Sequence, residues 1–162
     1  KYKNKSFDII TAIDVFEHIN EPEKFLVDCY RLLKDDGVLV IKIPNGNYSC
    51  LKLKIAQILG KKTENMDIFD SYEDVVHHTK DSFVKFIKKN NFYLKKIYAP
   101  LPINTPVWAK YLGHYYQYPS PWILDWKKIF FRKIFHMVGR LELYFNTKIH
   151  FQPDLLYILK KK

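Results

Sequence analysis

The stretch FDIITAIDVFEHINEPEKFLVDCYRLLKDDGVLVIKIPN, Phe7 to Asn45, decides the fold. Phe7 to Ile13 is a short apolar, β-branched run, the pattern of a strand buried on both faces. Asn20 reads as an N-cap, with Pro22 in the first turn and Glu23 three residues on, placed to reach back to the cap. Phe25, Leu26, Cys29, Leu32 and Leu33 then recur at helical spacing and form one core-facing stripe. Gly37 offers the left-handed stop that helix C-termini favour. Val38 to Ile43 is a second strand, ended by Pro44. Strand, helix and strand joined by tight connections predict a right-handed βαβ unit with parallel strands.

Beyond this unit, residues 47–60 read as a short helix closing at Gly60, and 61–76 as a polar loop. Thr79 is placed to cap a helix with Phe83, Phe86 and Ile87 inward, ending at Asn90-Asn91. Phe92 to Tyr98 reads as a strand, so the spacing predicts a helix and strand over 79–98. Pro100, Pro102 and Pro106 interrupt regular structure. A last apolar strand is expected over 154–160. Between these strands, residues 101–153 hold all three tryptophans, Trp108, Trp122 and Trp126. Within them a helix is expected from Ser120-Pro121 to about Tyr144. Its Ile123, Phe130, Ile134, Val138 and Leu141 share one face, with Lys128 and Arg132 opposite. An insertion in one domain fits this stretch better than a second domain.

The 162 residues suit one domain or a part of one, and 48% apolar with 27% charged residues excludes a disordered tail or collagen-like repeat. Cys29 and Cys50 are too few for a disulfide framework or a cysteine-based zinc site, and reduced thiols in a cytoplasmic protein are expected. No apolar run is long enough to span a membrane. The formal charge of +10 points either to acidic partners or to a compositional bias toward lysine. Lysine and tyrosine are scattered without a reading module, so nucleic acid is not expected as a partner.

Glu17-His18, the run Tyr30-Arg31-Leu32-Leu33-Lys34 with Gly37, Pro44-Asn45, and the later HHTKDSFVKFIKKNNF stretch together resemble the second half of class I S-adenosylmethionine-dependent methyltransferases. The resemblance covers residues 7 to 98 and the final strand, with Asn91 standing where the family usually has glycine. It implies an α/β, Rossmann-like fold with a mostly parallel sheet, an antiparallel last strand and an aromatic-rich helical insertion. It also implies S-adenosylmethionine as cofactor and a small-molecule acceptor such as a sugar, quinone or lipid-linked compound. The family's glycine-rich cofactor loop has no counterpart among the five glycines. The chain, which does not open on Met, is therefore expected to be the C-terminal portion of the domain over 1–162, inactive alone.

By the same resemblance, the turn Asp14 to His18 flanks the methionine end of the cofactor. Asp14 and Val15 are its candidate cofactor contacts, with Glu17 and His18 the candidate catalytic pair. His18 is the side chain there whose ordinary pKa lies near neutrality, which suits a base. Capping of the following helix by Glu17 and His18 is the structural alternative, and a divalent metal on Asp14, Glu17 and His18 a third. Asn45, His78 and Trp108 are the candidate substrate contacts. Against substrate contact, Asn45 can serve as a turn residue and His78 as a structural one. The insertion reads as a substrate lid, as a helix on a membrane surface, or as core. An unpaired edge at Phe7–Ile13 predicts a homodimer. The alternatives to an enzyme are a non-catalytic binding or membrane-surface module, or a degenerate subunit whose sheet another chain completes.

Overall fold

A computed structural model describes residues 2–58, 60, 76–100, 130, 134 and 136–162. In chain order they form β1 (Phe7–Ile13), a 3-10 turn (Phe16–His18), α1 (Pro22–Leu32), β2 (Leu33–Pro44), α2 (Gly46–Ile58), α3 (Lys80–Lys89), β3 (Phe92–Tyr98), a helix over 136–144, and β4 (Asp154–Lys161). The strands make one four-stranded sheet in the order β1-β2-β4-β3. β1 and β2 are parallel, while β4 runs antiparallel to both β2 and β3. Three strands therefore point one way and the last strand alone is reversed, the α/β arrangement that the sequence resemblance implies.

The strand pleat sorts the side chains. Leu39, Ile41 and Ile43 of β2 and Leu155, Tyr157 and Leu159 of β4 are buried on one face, where Leu26 and Cys29 of α1 and Phe83 and Ile87 of α3 join them. The alternate positions, Val38, Val40, Leu156 and Ile158, are only half-buried. α3 follows the expected pattern: the Thr79 hydroxyl accepts from the Ser82 N–H, and Asn91 turns the chain into β3 at φ 62°. Gly60, at φ +66°, follows α2.

Several expectations are corrected. β1 is an edge strand, and of its residues only Ala12 is buried, because β2 is its one partner among the described residues. Glu21, not Asn20, is the N-cap of α1, and no side chain bonds the first turn; Pro22 starts the helix where a missing N–H costs nothing. Gly37 does not end the helix, which stops at Leu32, but lies inside β2. A Cβ there would stand 3.0 Å from the Leu33 Cδ2 and 3.1 Å from the Asp8 carbonyl oxygen, so close packing against β1 explains the glycine. Lys34 accordingly sits in β2, its Nζ donating to the Asp8 carboxylate at 2.8 and 2.9 Å.

Candidate functional site

Parallel pairing sets Ile13 beside Lys42, so the carboxyl ends of β1 and β2 finish together. That edge is where open α/β sheets bind ligands. Asp14 leaves β1 at φ 52°, the left-handed region, and turns the chain into the 3-10 turn. Such a conformation costs an ordinary residue about 1–2 kcal/mol, and aspartate is among the few side chains that tolerate it. Lys42 compensates: its Nζ donates to both Asp14 carboxylate oxygens at 2.7 and 2.9 Å and lies 3.4 Å from Asp154. Burial works against the charge of this lysine. The Asp14 hydrogen bond and the two carboxylates outweigh it and hold the ammonium above its usual range.

Within the turn, the Phe16 ring anchors inward, edge-on to Phe25 at 5.8 Å, Phe83 at 5.5 Å and Phe86 at 6.2 Å. Glu17 is buried beside it, whereas Val15 and His18 face outward. A three-residue turn with an anchored phenylalanine thus presents the imidazole of His18 at the surface of the carboxyl edge.

Residues 77–78 cross the start of α2. The Gly46 N–H donates to the His78 carbonyl at 2.9 Å, and a Cβ on Gly46 would lie 3.0 Å from the His77 carbonyl oxygen. A side chain there would have to push this backbone away by a few tenths of an ångström, so glycine suits the approach. The His78 ring lies 6.3 Å from Phe16, 5.5 Å from Phe83 and 5.8 Å from Phe86, with the Ser82 hydroxyl 3.5 Å from its Nδ1. Burial pushes its pKa down, and His77 adds to the effect. His77 turns the other way, its Nδ1 3.4 Å from the Ser49 hydroxyl. The 14–18 turn and His78 are therefore joined through Phe16.

Asn45 is buried, and its amide is spent on its own chain. Its Nδ2 donates to the carbonyls of Ile149 and Gln152, both at 2.8 Å, and its Oδ1 accepts from the Asn47 N–H at 3.2 Å. Gln152 passes the connection on, donating to the Pro100 carbonyl at 2.8 Å and lying 3.1 Å from the His136 Nδ1. Asn45 thereby ties the 149–152 segment to the end of β2. Trp108 lies outside the described residues. Among the described residues no three His, Cys, Asp or Glu side chains gather as a metal site, and Asp14 is held by Lys42 instead.

Residues 1–41 match a family model described as a methyltransferase domain. That span runs through β1, the 3-10 turn and α1 into β2. The ubiquinone biosynthesis O-methyltransferase of Pasteurella multocida is 22% identical over 119 residues, 70% of this chain and 49% of that protein. The like-named protein of Glaesserella parasuis is 35% identical over 71 residues, 40% of this chain and 30% of its own length. Among solved structures, a possible histamine N-methyltransferase of Thermotoga maritima superposes with a TM-score of 0.52 at 14% identity, covering 99% of this chain and 59% of that one. The putative methyltransferase of Haloferax volcanii, solved with the Trm112 methyltransferase activator, gives 0.53 at 13% identity, over 99% and 56%.

The likeness to methyltransferases thus rests in sequence on residues 1–41, and the fold is shared with solved methyltransferase structures. The chain spans about half the length of the first curated relative that it matches. At this edge, two connecting residues escape a reading of the sequence alone. Lys42 carried a signal, since a lone lysine in the apolar run VLVIKI must find a carboxylate when the strand is packed. Gln152 carried none, because its partners are a backbone carbonyl and a histidine far away in sequence.

Proposed function

We propose that the chain carries the acceptor side of an S-adenosylmethionine-dependent methyltransferase whose substrate is a small molecule with a ring hydroxyl, of the quinone-precursor class. The observation that carries this reading is the exposed His18, held at the carboxyl edge within the segment that the family model matches. The name that these relatives carry, ubiquinone biosynthesis O-methyltransferase, favours an oxygen on a quinone-type ring as acceptor. S-adenosylmethionine supplies a methyl group on a sulfonium, open to in-line attack by an oxygen nucleophile.

The residues fit this cofactor on one side. Asp14 and Val15 would flank its methionine end, while none of the five glycines forms the G-x-G pattern of a cofactor loop. Cofactor affinity on this reading requires residues beyond this sequence, and the 162 residues alone are inactive. His18 takes the hydroxyl proton of the acceptor as the oxygen attacks. Buried Glu17 and the Lys42–Asp14 pair fix the turn that aims it. His78, inside the phenylalanine cluster, shapes the wall behind the turn.

Isothermal titration of S-adenosylmethionine and S-adenosylhomocysteine into this chain, and into the longest form its gene encodes, tests the assignment. Micromolar binding by the longer form alone is expected, together with labelled-methyl transfer to a catechol acceptor. His18→Ala should lower turnover by about a hundredfold or more while S-adenosylhomocysteine still binds. Binding by the 162 residues alone would overturn the divided cofactor site. Full turnover by the alanine variant would overturn the base. Binding by neither form would favour a non-catalytic module.

A further inference from the structure

The helix over 136–144 has two unlike sides. On one, Gly139 is buried, Leu143 packs against the core, and the His136 Nδ1 meets Gln152. On the other, Met137, Leu141, Tyr144 and the following Phe145 are each more than half exposed. At about 100° per residue, Met137, Leu141 and Tyr144 fall within roughly 60° of one another. Phe130, also more than half exposed, and Ile134 extend the same spacing toward the N-terminus. An aromatic and aliphatic stripe of this kind, left in water, marks an interaction surface.

Charge says what kind. Residues 127–148 contain Lys127, Lys128, Arg132, Lys133, Arg140 and Lys148 against one acid, Glu142. That acid is turned inward. Its carboxylate accepts the N–H groups of His150 at 2.8 Å and Phe151 at 3.1 Å and lies 3.3 Å from the His150 Nδ1. Arg140 on this helix and Lys148 just beyond it are exposed. An apolar stripe in so basic a segment, with Arg140 and Lys148 exposed and the one carboxylate withdrawn, is complementary to an anionic lipid surface. A second copy of the same face would bring like charges together, which disfavours self-pairing there.

We propose that this helix face docks the protein on anionic membrane surfaces, with Met137, Leu141, Tyr144 and Phe145 entering the headgroup boundary and Arg140 and Lys148 meeting lipid phosphates. The docking is independent of methyl transfer. Vesicle flotation of the full chain tests it, with phosphatidylcholine alone and with phosphatidylcholine mixed with phosphatidylglycerol. Binding is expected to the anionic vesicles only and to weaken as salt is raised. The triple variant Met137→Ser, Leu141→Ser, Tyr144→Ser should bind about tenfold more weakly or worse with an unchanged unfolding midpoint, since all three side chains are exposed. Arg140→Gln with Lys148→Gln, which leaves the stripe intact, should weaken binding and flatten its salt dependence. The proposal is overturned if the full chain ignores anionic vesicles, or if the triple variant floats as the parent does. It is also overturned if the triple substitution only converts a dimer into a monomer.

Discussion

Tyr157 is the clearest case of a side chain whose polar atom is at odds with its surroundings. The residue is fully buried, its ring 4.5 Å from that of Phe83, and its hydroxyl has no hydrogen-bond partner among the described residues. Burial accordingly pushes its pKa well up. An unsatisfied buried hydroxyl costs roughly 1–3 kcal/mol, and phenylalanine keeps the ring while deleting the cost. Tyr157→Phe should therefore leave stability unchanged or raise it by about 1 kcal/mol in urea unfolding. A loss of that size would mean that the hydroxyl is bonded in solution.

Elements answer to their ends as much as to their stripes. Thr79 accepts the Ser82 N–H at 3.2 Å and is the described side-chain cap of α3, the helix that sets Phe83 and Ile87 into the core. Thr79→Ala should cost about 1 kcal/mol, and Thr79→Ser should restore most of it; thermal unfolding of the pair distinguishes capping from lost packing. The same scale shows what could be read in advance. Thr79 and Asn91 were legible because caps and left-handed turns act through neighbours in sequence. Gly37 was misread because its reason is the Asp8 carbonyl across the sheet, and Asn20 because two polar residues and a proline compete for one helix start. At the candidate site, the 14–18 turn was legible as a pattern. Its strapping by Lys42, and the tie from Asn45 through Gln152 to His136, depend on contacts between distant segments.

At the scale of the whole molecule, titration and the open sheet edge set the limits. Burial pushes the Cys29 thiol up to about 12, and Tyr157 and Lys42 are also raised above their ordinary 10.0 and 10.5. In each case the unfolded chain releases its proton first. The stability that these three groups contribute is therefore complete below about pH 9 and falls above it, and Cys29→Ala should move the onset to about pH 10. His78, lowered from 6.5, acts on the acid side: the unfolded chain takes up a proton first, so stability falls below that pH and His78→Gln should flatten the limb. Urea midpoints across the pH range check both limbs. The edge carries the last prediction. β1 pairs only with β2 among the described residues, and Ile9 and Ile13 on it are 59% and 43% exposed. Natural edges are protected by lysine, proline or a charge pointing inward, but FDIITAI carries only Asp8, which Lys34 of β2 already binds. Two copies related by a two-fold axis would pair β1 with β1 and join two four-stranded sheets. Analytical ultracentrifugation should show a dimer that dissociates on dilution, with Ile9→Lys monomeric throughout and the Met137 and Leu141 serine variants still dimeric. A parent chain that stays monomeric at every concentration would mean that residues outside those described cover this edge, and the self-pairing would be wrong.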